Sequence, residues 1–386
     1  MTAVTLGIDD AVLAKSGGAW TAREIAQQPR IWTEVLAGAA RDGVADFVAR
    51  QLATPQLRVL LTGAGTSAFI GESLAPAIAR HTRARVDAVP TTDLVAGPAR
   101  YFQREAPTLM VHFARSGNSP ESVAALALAD RFVDDCRHLV ITCNDEGALG
   151  VEARRRAPEA TRLVVLPAAT NDRGFAMTSS FSSLLLTAAR LFGLVDDAPV
   201  AAANDLLARA PALAGELVAG GFARVVYLGS NELKGLAREA ALKLLELSDG
   251  RVVGLHDSPL GFRHGPKTIV DASTLVVVFL SNDAHARHYD LDLLRELRGD
   301  RRAGRVLAIG GTAEGLDLAA GDLLVAGLAG APDIAAVPAF AVFAQVFAFH
   351  QSLALGLTPD NPSVSGTVNR VVRGVTIYPH PEAGEA

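Results

Sequence analysis

The chain of 386 residues is 49% hydrophobic and 20% charged, with a formal net charge of −5; this is more chain than one hydrophobic core usually serves. It has no basic block, which excludes a protein that neutralises a nucleic-acid backbone and leaves a small anion as the only phosphate-bearing partner. The cysteines, Cys136 and Cys143, lack metal-ligand spacing and cannot frame a disulfide-stapled fold, so they read as structural thiols in a reducing cytoplasm, with no metal expected.

The N-terminal piece, 1–42, reads as helical, carries no basic-then-apolar export signal, and offers Thr21-Ala22-Arg23-Glu24 as a capping box. Residues 43–196 then alternate short apolar runs with helical patterns. The first run, Arg58-Val59-Leu60-Leu61-Thr62, ends in Gly63-Ala64-Gly65-Thr66-Ser67 at the start of a helix. This turn satisfies the relaxed dinucleotide fingerprint, and Asp87 stands at the end of the next run, where a ribose-binding acid belongs. A third run, 109–113, leads into Ala114-Arg115-Ser116-Gly117-Asn118-Ser119-Pro120-Glu121-Ser122. Short hydroxyls and Gly at a helix start aim N–H and Oγ donors at one point, and the helix dipole adds partial positive charge there. A plain N-cap would have the same wording. A dinucleotide leaves the hydroxyls of the second loop unexplained. A sugar phosphate accounts for both loops, because Gly65, Thr66 and Ser67 open one helix and Ser116, Gly117, Asn118, Ser119 and Ser122 open its neighbour, so the two converge.

A break near 194–200 precedes a second half, 205–358, which repeats the first at an offset of roughly 165 positions. Arg224-Val225-Val226-Tyr227-Leu228-Gly229-Ser230 answers the first strand and turn, Arg251-Val252-Val253 answers Arg85-Val86-Asp87, 275–279 answers 109–113, and 305–307 answers 139–141. Continuous apolar runs alternating with helices predict an α/β fold of two doubly wound parallel sheets, with ligands at the carboxyl ends of the strands. Within this half, Glu239, Lys243 and Glu246 share a helix face; a solvated ion-pair ladder has the same spacing. His264, in Asp257-Ser258-Pro259-Leu260-Gly261-Phe262-Arg263-His264-Gly265-Pro266-Lys267, lies among Gly, Pro and basic residues, where it suits proton transfer better than a core. His285 and His288 share helical spacing but lack a nearby carboxylate set and read as surface residues, not metal ligands. The apolar stretch 334–357 is interrupted by Pro338, Gln345, His350 and Gln351, which predicts a buried helix and no membrane span. The tail, 359–386, turns strand-like at Val375-Thr376-Ile377-Tyr378.

Taken together, Gly65-Thr66-Ser67, the Ser116 to Ser122 loop, the Glu239 to Glu246 helix and His264-Gly265-Pro266 resemble the tandem sugar-isomerase (SIS) domains of the isomerase half of glucosamine-6-phosphate synthase. The resemblance covers nearly the whole chain, including Arg23-Glu24-Ile25-Ala26-Gln27-Gln28-Pro29. The wording around His264, with Asp360-Asn361-Pro362, is most similar to the galactosamine-6-phosphate deaminase/isomerase branch, also labelled tagatose-6-phosphate ketose/aldose isomerase. It implies flavodoxin-like three-layer domains, no cofactor, and a tail that completes the active site.

The roles it implies are these. Gly65, Thr66, Ser67, Ser116, Gly117, Asn118, Ser119 and Ser122 bind the phosphate and nearby hydroxyls, while Thr178 and Ser179 close the sugar pocket at another helix start. Glu246 shuttles a proton between C1 and C2, Lys243 and Glu239 orient and polarise the open chain, and His264 reaches across a homodimer interface to open the ring. The chain departs from the synthase in two respects. It begins Met1-Thr2, with no amidotransferase expected, and Arg373 stands where the synthase has a Schiff-base lysine; a guanidinium cannot form that imine, so Arg373 is counted with the substrate-binding residues. The implied reaction converts galactosamine 6-phosphate to tagatose 6-phosphate and ammonia in the cytoplasm. Two alternatives stand beside it: a ketose/aldose 6-phosphate isomerase, and a non-catalytic sugar-phosphate regulator, which has no use for Glu246 and His264.

Overall fold

Strands whose consecutive residues are all apolar are stable only when both faces are covered, which puts them inside a parallel sheet flanked by helices. Thr108–Ala114 and Thr274–Leu280 are buried at every position and form the central strands of two separate five-stranded sheets. The computed structural model describes residues 3–39, 43–372 and 374–380. In chain order its strands are β1 (Val4–Thr5), β2 (Ile8–Asp9), β3 (Arg58–Thr62), β4 (Arg85–Ala88), β5 (Thr108–Ala114), β6 (Cys136–Thr142), β7 (Thr161–Val165), β8 (Arg224–Gly229), β9 (Val253–Asp257), β10 (Thr274–Leu280), β11 (Arg305–Gly310) and β12 (Leu323–Leu324). The first sheet runs β4-β3-β5-β6-β7 and the second β12-β11-β10-β8-β9, every pair parallel.

Each half therefore repeats one doubly wound topology, in which the first strand lies between the second and the third. The carboxyl ends of β3 and β5 form a topological switch point, and so do those of β8 and β10, where α/β folds open a crevice for ligands. The repeat read from sequence is offset at β9: Arg224 pairs with Val253, as Arg58 pairs with Arg85, so the counterpart of Arg85 is Val253 and not Arg251. Equal composition at the strand start hid the slip.

The halves meet through the helices Thr66–His81 and Glu232–Leu247, with Asp333–Ala354 packed against Ala198–Ala219 and Glu232–Leu247. Among the described residues Asp333–Ala354 is the one helix long and apolar enough to cross a membrane, and 94% of its apolar window is buried inside the protein. At Gly235 an added Cβ would lie 2.6 Å from Ser73 N, so the absent side chain sets how closely the two halves approach.

Three local expectations are overturned. The N-terminal piece contains the short antiparallel pair β1 and β2 as well as helices. Thr21 and Glu24 lie inside the helix Ala19–Ala26 and form no capping box: Thr21 Oγ1 donates to Asp360 Oδ1 at 2.8 Å, and the Glu24 carboxylate accepts from the N–H groups of Arg173 and Gly174. The tail forms no strand at 375–378. Its described residues run irregularly along the first half, held at Asp360 by Thr21, at Arg370 by Asp172 O, and at His380 by Arg131 Nη1 donating to its carbonyl at 3.0 Å and by an edge-on contact with Phe132.

Candidate active site

Gly65, with φ +55°, turns the chain after β3 into the helix that starts at Thr66, and no side chain caps that helix. After β5, Gly117 at φ +66° turns the second loop, which is held by Asn144 Nδ2 donating to Ser116 O at 2.9 Å and by Ala148 N donating to Asn118 Oδ1 at 3.0 Å. Ser119 occupies the N-cap of the helix Pro120–Phe132, but its Oγ donates to Glu121 Oε2 and accepts nothing from the helix. The plain N-cap is therefore not what this serine forms. Ser122 lies on the first turn, 5% exposed. The two loops come together because β3 and β5 pair in register, Leu61 opposite Val111 and Thr62 opposite His112.

From the second half, the helix Glu232–Leu247 brings its charged face to the same place. Lys243 Nζ donates to Thr66 Oγ1 at 3.0 Å, lies 3.5 Å from Glu239 Oε1, and pairs closely with Glu246. The side chains of Glu239 and Lys243 are each 1% exposed, whereas that of Glu246 is 23% exposed. The solvated ladder is excluded by this burial. Burial pushes the Glu239 carboxyl up to about 8 against the opposing pull of Lys243. Burial also opposes the Lys243 charge, but Glu239 and Glu246 outweigh it and leave the lysine above its ordinary range. The result is a buried acid, a buried lysine and one accessible carboxylate in a row beside the Gly65 and Ser116 loops. Such a row can take a proton from carbon at Glu246 while Lys243 stabilises the adjacent developing charge.

Thr178 and Ser179 are placed otherwise than as pocket-facing donors. Both are fully buried; Thr178 Oγ1 donates to Asp172 Oδ1 at 3.0 Å and Ser179 Oγ to Glu24 O at 2.6 Å. Asp172 also accepts the N–H groups of Thr178, Ser179 and Ser180, so it caps the helix Ser179–Leu191 from within. His264 is exposed on the turn after Pro259–Phe262, with its backbone N–H on Gly261 O at 2.9 Å. Ion pairs of Arg263 and Lys267 with Glu296 pin that turn to the helix Ala284–Asp300. Arg373 lies outside the described residues. Asp87 is bound at 2.7 Å by Arg58 and at 3.1 Å by Arg85, which takes away the ribose-binding acid of the dinucleotide reading. His285 and His288 are exposed, as expected.

A model of the SIS domain matches residues 51–192. The D-galactosamine-6-phosphate deaminase AgaS of Escherichia coli is 46% identical over 376 residues, 95% of this chain and 97% of that protein. The chain belongs to the SIS-domain family. Among solved SIS-domain structures, the tagatose-6-phosphate ketose/aldose isomerase of Escherichia coli is 42% identical, with a TM-score of 0.84 over 98% of this chain and 99% of that one. The C-terminal domain of glucosamine-fructose-6-phosphate aminotransferase from Francisella tularensis, 17% identical, shares the fold at a TM-score of 0.66 over 87% of this chain and 96% of that one. The branch read from the wording around His264 is the one these first two relatives are named for. Outside the matched residues, the second half of this SIS-domain protein repeats the fold of the first.

Two features of the site are absent from the motif reading. Asp172 is the buried acid that organises residues 172–180, and Arg115 lies in the quoted loop without a role. An acid six residues before a Thr-Ser-Ser helix start was the available signal for Asp172.

Proposed function

We propose that this SIS-domain protein deaminates galactosamine 6-phosphate to tagatose 6-phosphate and ammonia, with Glu246 as the base. The observation that carries this reading is the Glu239-Lys243-Glu246 row meeting Thr66 across the junction of the halves, beside the Ser116 to Ser122 loop. In the open-chain aldehyde, Glu246 removes the C2 proton while Lys243 stabilises the oxygen at C1. The same carboxylate returns the proton to C1, leaving an imine at C2. Water adds to that carbon, and nitrogen departs as ammonia. Atoms balance as hexosamine phosphate plus water giving ketose phosphate plus ammonia. The names of the relatives support both the amino-sugar substrate and the ketose product.

The ring must open first. We assign that step to His264 of a second copy, since the turn carrying it is exposed and stiffened by ion pairs. On this reading the protein is a homodimer with shared sites, working in the cytoplasm. The test incubates the pure protein with galactosamine 6-phosphate and EDTA, and measures ammonia and ketose together. Equal amounts of both are expected, independent of glutamine. Ketose formed from an aldose phosphate, with no ammonia from either galactosamine or glucosamine 6-phosphate, would replace deamination by isomerisation alone.

A further inference from the structure

Arg115 directly follows β5 and precedes the Ser116 loop. It is 8% exposed, and a guanidinium held that far from water normally has a carboxylate beside it. Here its partners are neutral: Nη1 donates to Phe175 O at 3.1 Å, Nη2 to Arg370 O, and Nε is buried without an acceptor. Arg370 is held the same way, with Nε on Asp172 O at 3.0 Å and Nη2 on Asn171 Oδ1 at 3.2 Å. Among the described residues no carboxylate forms an ion pair with either arginine.

The charged groups that act on Arg115 are Arg370, Asp172, Glu246 and Lys243. Asp172 is committed to the start of the helix Ser179–Leu191 through the N–H and Oγ groups of Thr178 and Ser180 and the N–H of Ser179. Glu246 is committed to Lys243. Burial and the neighbouring Arg370 both work against the Arg115 charge and hold it below its ordinary range. Arg115, at the start of the Ser116 loop, thus carries a positive charge with no carboxylate ion pair and one buried N–H without an acceptor, and the neighbouring Arg370 adds a second unpaired charge.

Resting on the sugar-phosphate reading above, we propose that Arg115 is the cationic residue that binds the substrate's phosphate, and that the bound anion locks the C-terminal segment over the site through the Arg370 carbonyl. A dianion supplies the charge that no side chain here supplies, and Nε–H supplies a charge-assisted hydrogen bond. The Nη groups stay on Phe175 O and Arg370 O. A lysine keeps the charge but cannot hold both carbonyls at once.

The test titrates inorganic phosphate into the full-length wild type, R115Q and R115K by calorimetry, and follows protease protection of residues 360–372 with and without phosphate. The wild type should bind phosphate and gain protection. R115Q should bind it at least about tenfold more weakly, with KM for galactosamine 6-phosphate raised in parallel. R115K should recover phosphate affinity without recovering the protection. Wild-type affinity in R115Q, or an R115K as weak as R115Q, would overturn the assignment. Should R115Q fail to fold, R115K decides alone, since loss of phosphate binding despite the retained charge refutes it. A wild type that neither binds phosphate nor turns over a hexosamine phosphate would instead remove the sugar-phosphate reading itself.

Discussion

Gly235→Ala tests whether the junction of the two halves positions the catalytic row. The new Cβ would meet Ser73 Oγ at 2.4 Å, Ser73 N at 2.6 Å and Glu72 C at 3.0 Å. The hydroxyl can rotate away; the backbone atoms cannot, so the helices must part by on the order of 1 Å to restore ordinary contact. Alanine gains about 1 kcal/mol over glycine within a helix, while overpacking costs about 1–3 kcal/mol or more. The net expectation is a loss of about 0–2 kcal/mol. Turnover should suffer more. Lys243 and Glu246 lie about two and three turns further along the same helix, and the 3.0 Å bond from Lys243 to Thr66 spans the interface being opened. A displacement of about 1 Å at reacting groups can cost about 10²-fold. Ser73→Ala alone should be close to neutral, since its Oγ is buried without a partner, and the double variant should recover only the hydroxyl's share. Thermal melts and kcat/KM on the four proteins decide the matter. A Gly235→Ala protein with wild-type melting and turnover would refute the reasoning, as would complete rescue by Ser73→Ala.

Glu246→Gln should slow exchange of the C2 proton by about 10²-fold or more, while His264→Ala should spare exchange on an acyclic analogue; mixing the two inactive proteins should restore activity if the site is shared between copies. An unimpaired exchange rate in Glu246→Gln would place the base elsewhere. Glu239 is held near pH 8 in the fold against 4.5 when unperturbed, so the native state keeps a proton that the unfolded chain has released. That stabilisation is complete below pH 4.5 and is lost as pH rises to about 8; Glu239→Gln should flatten part of this fall in denaturant titrations, the remainder coming from the other carboxyls that burial raises, among them Glu24, to about 8, and Asp290, to about 6. Ser119→Ala should weaken substrate binding by about 1–3 kcal/mol, measured by calorimetry, and unchanged affinity would remove Ser119 from the anion site.

Local patterning was enough to read the architecture. Runs such as 109–113, apart from His112, and 275–279 carry apolar residues at successive positions because both faces of β5 and β10 are covered, and that constraint is written into each run separately. The glycine turn at Gly65 and the Ser116 to Ser122 loop were legible for the same reason, as were the interruptions that mark Asp333–Ala354 as a core helix. What the sequence could not decide is which polar groups are already spoken for. A ladder of Glu239, Lys243 and Glu246 has one spacing in water and in a core, and only the docking of Thr66–His81 onto the helix buries it. The apparent capping box at Thr21 and Glu24 binds residues far along the chain instead. Thr178 and Ser179 looked free until Asp172 and Glu24 met them. Asp87 is consumed by Arg58, and Arg115 shows its unmatched charge only once every neighbour is in place. Backbone periodicity is a local property of the chain; whether a hydrogen bond or a charge is satisfied depends on groups that only the tertiary fold brings within about 3 Å.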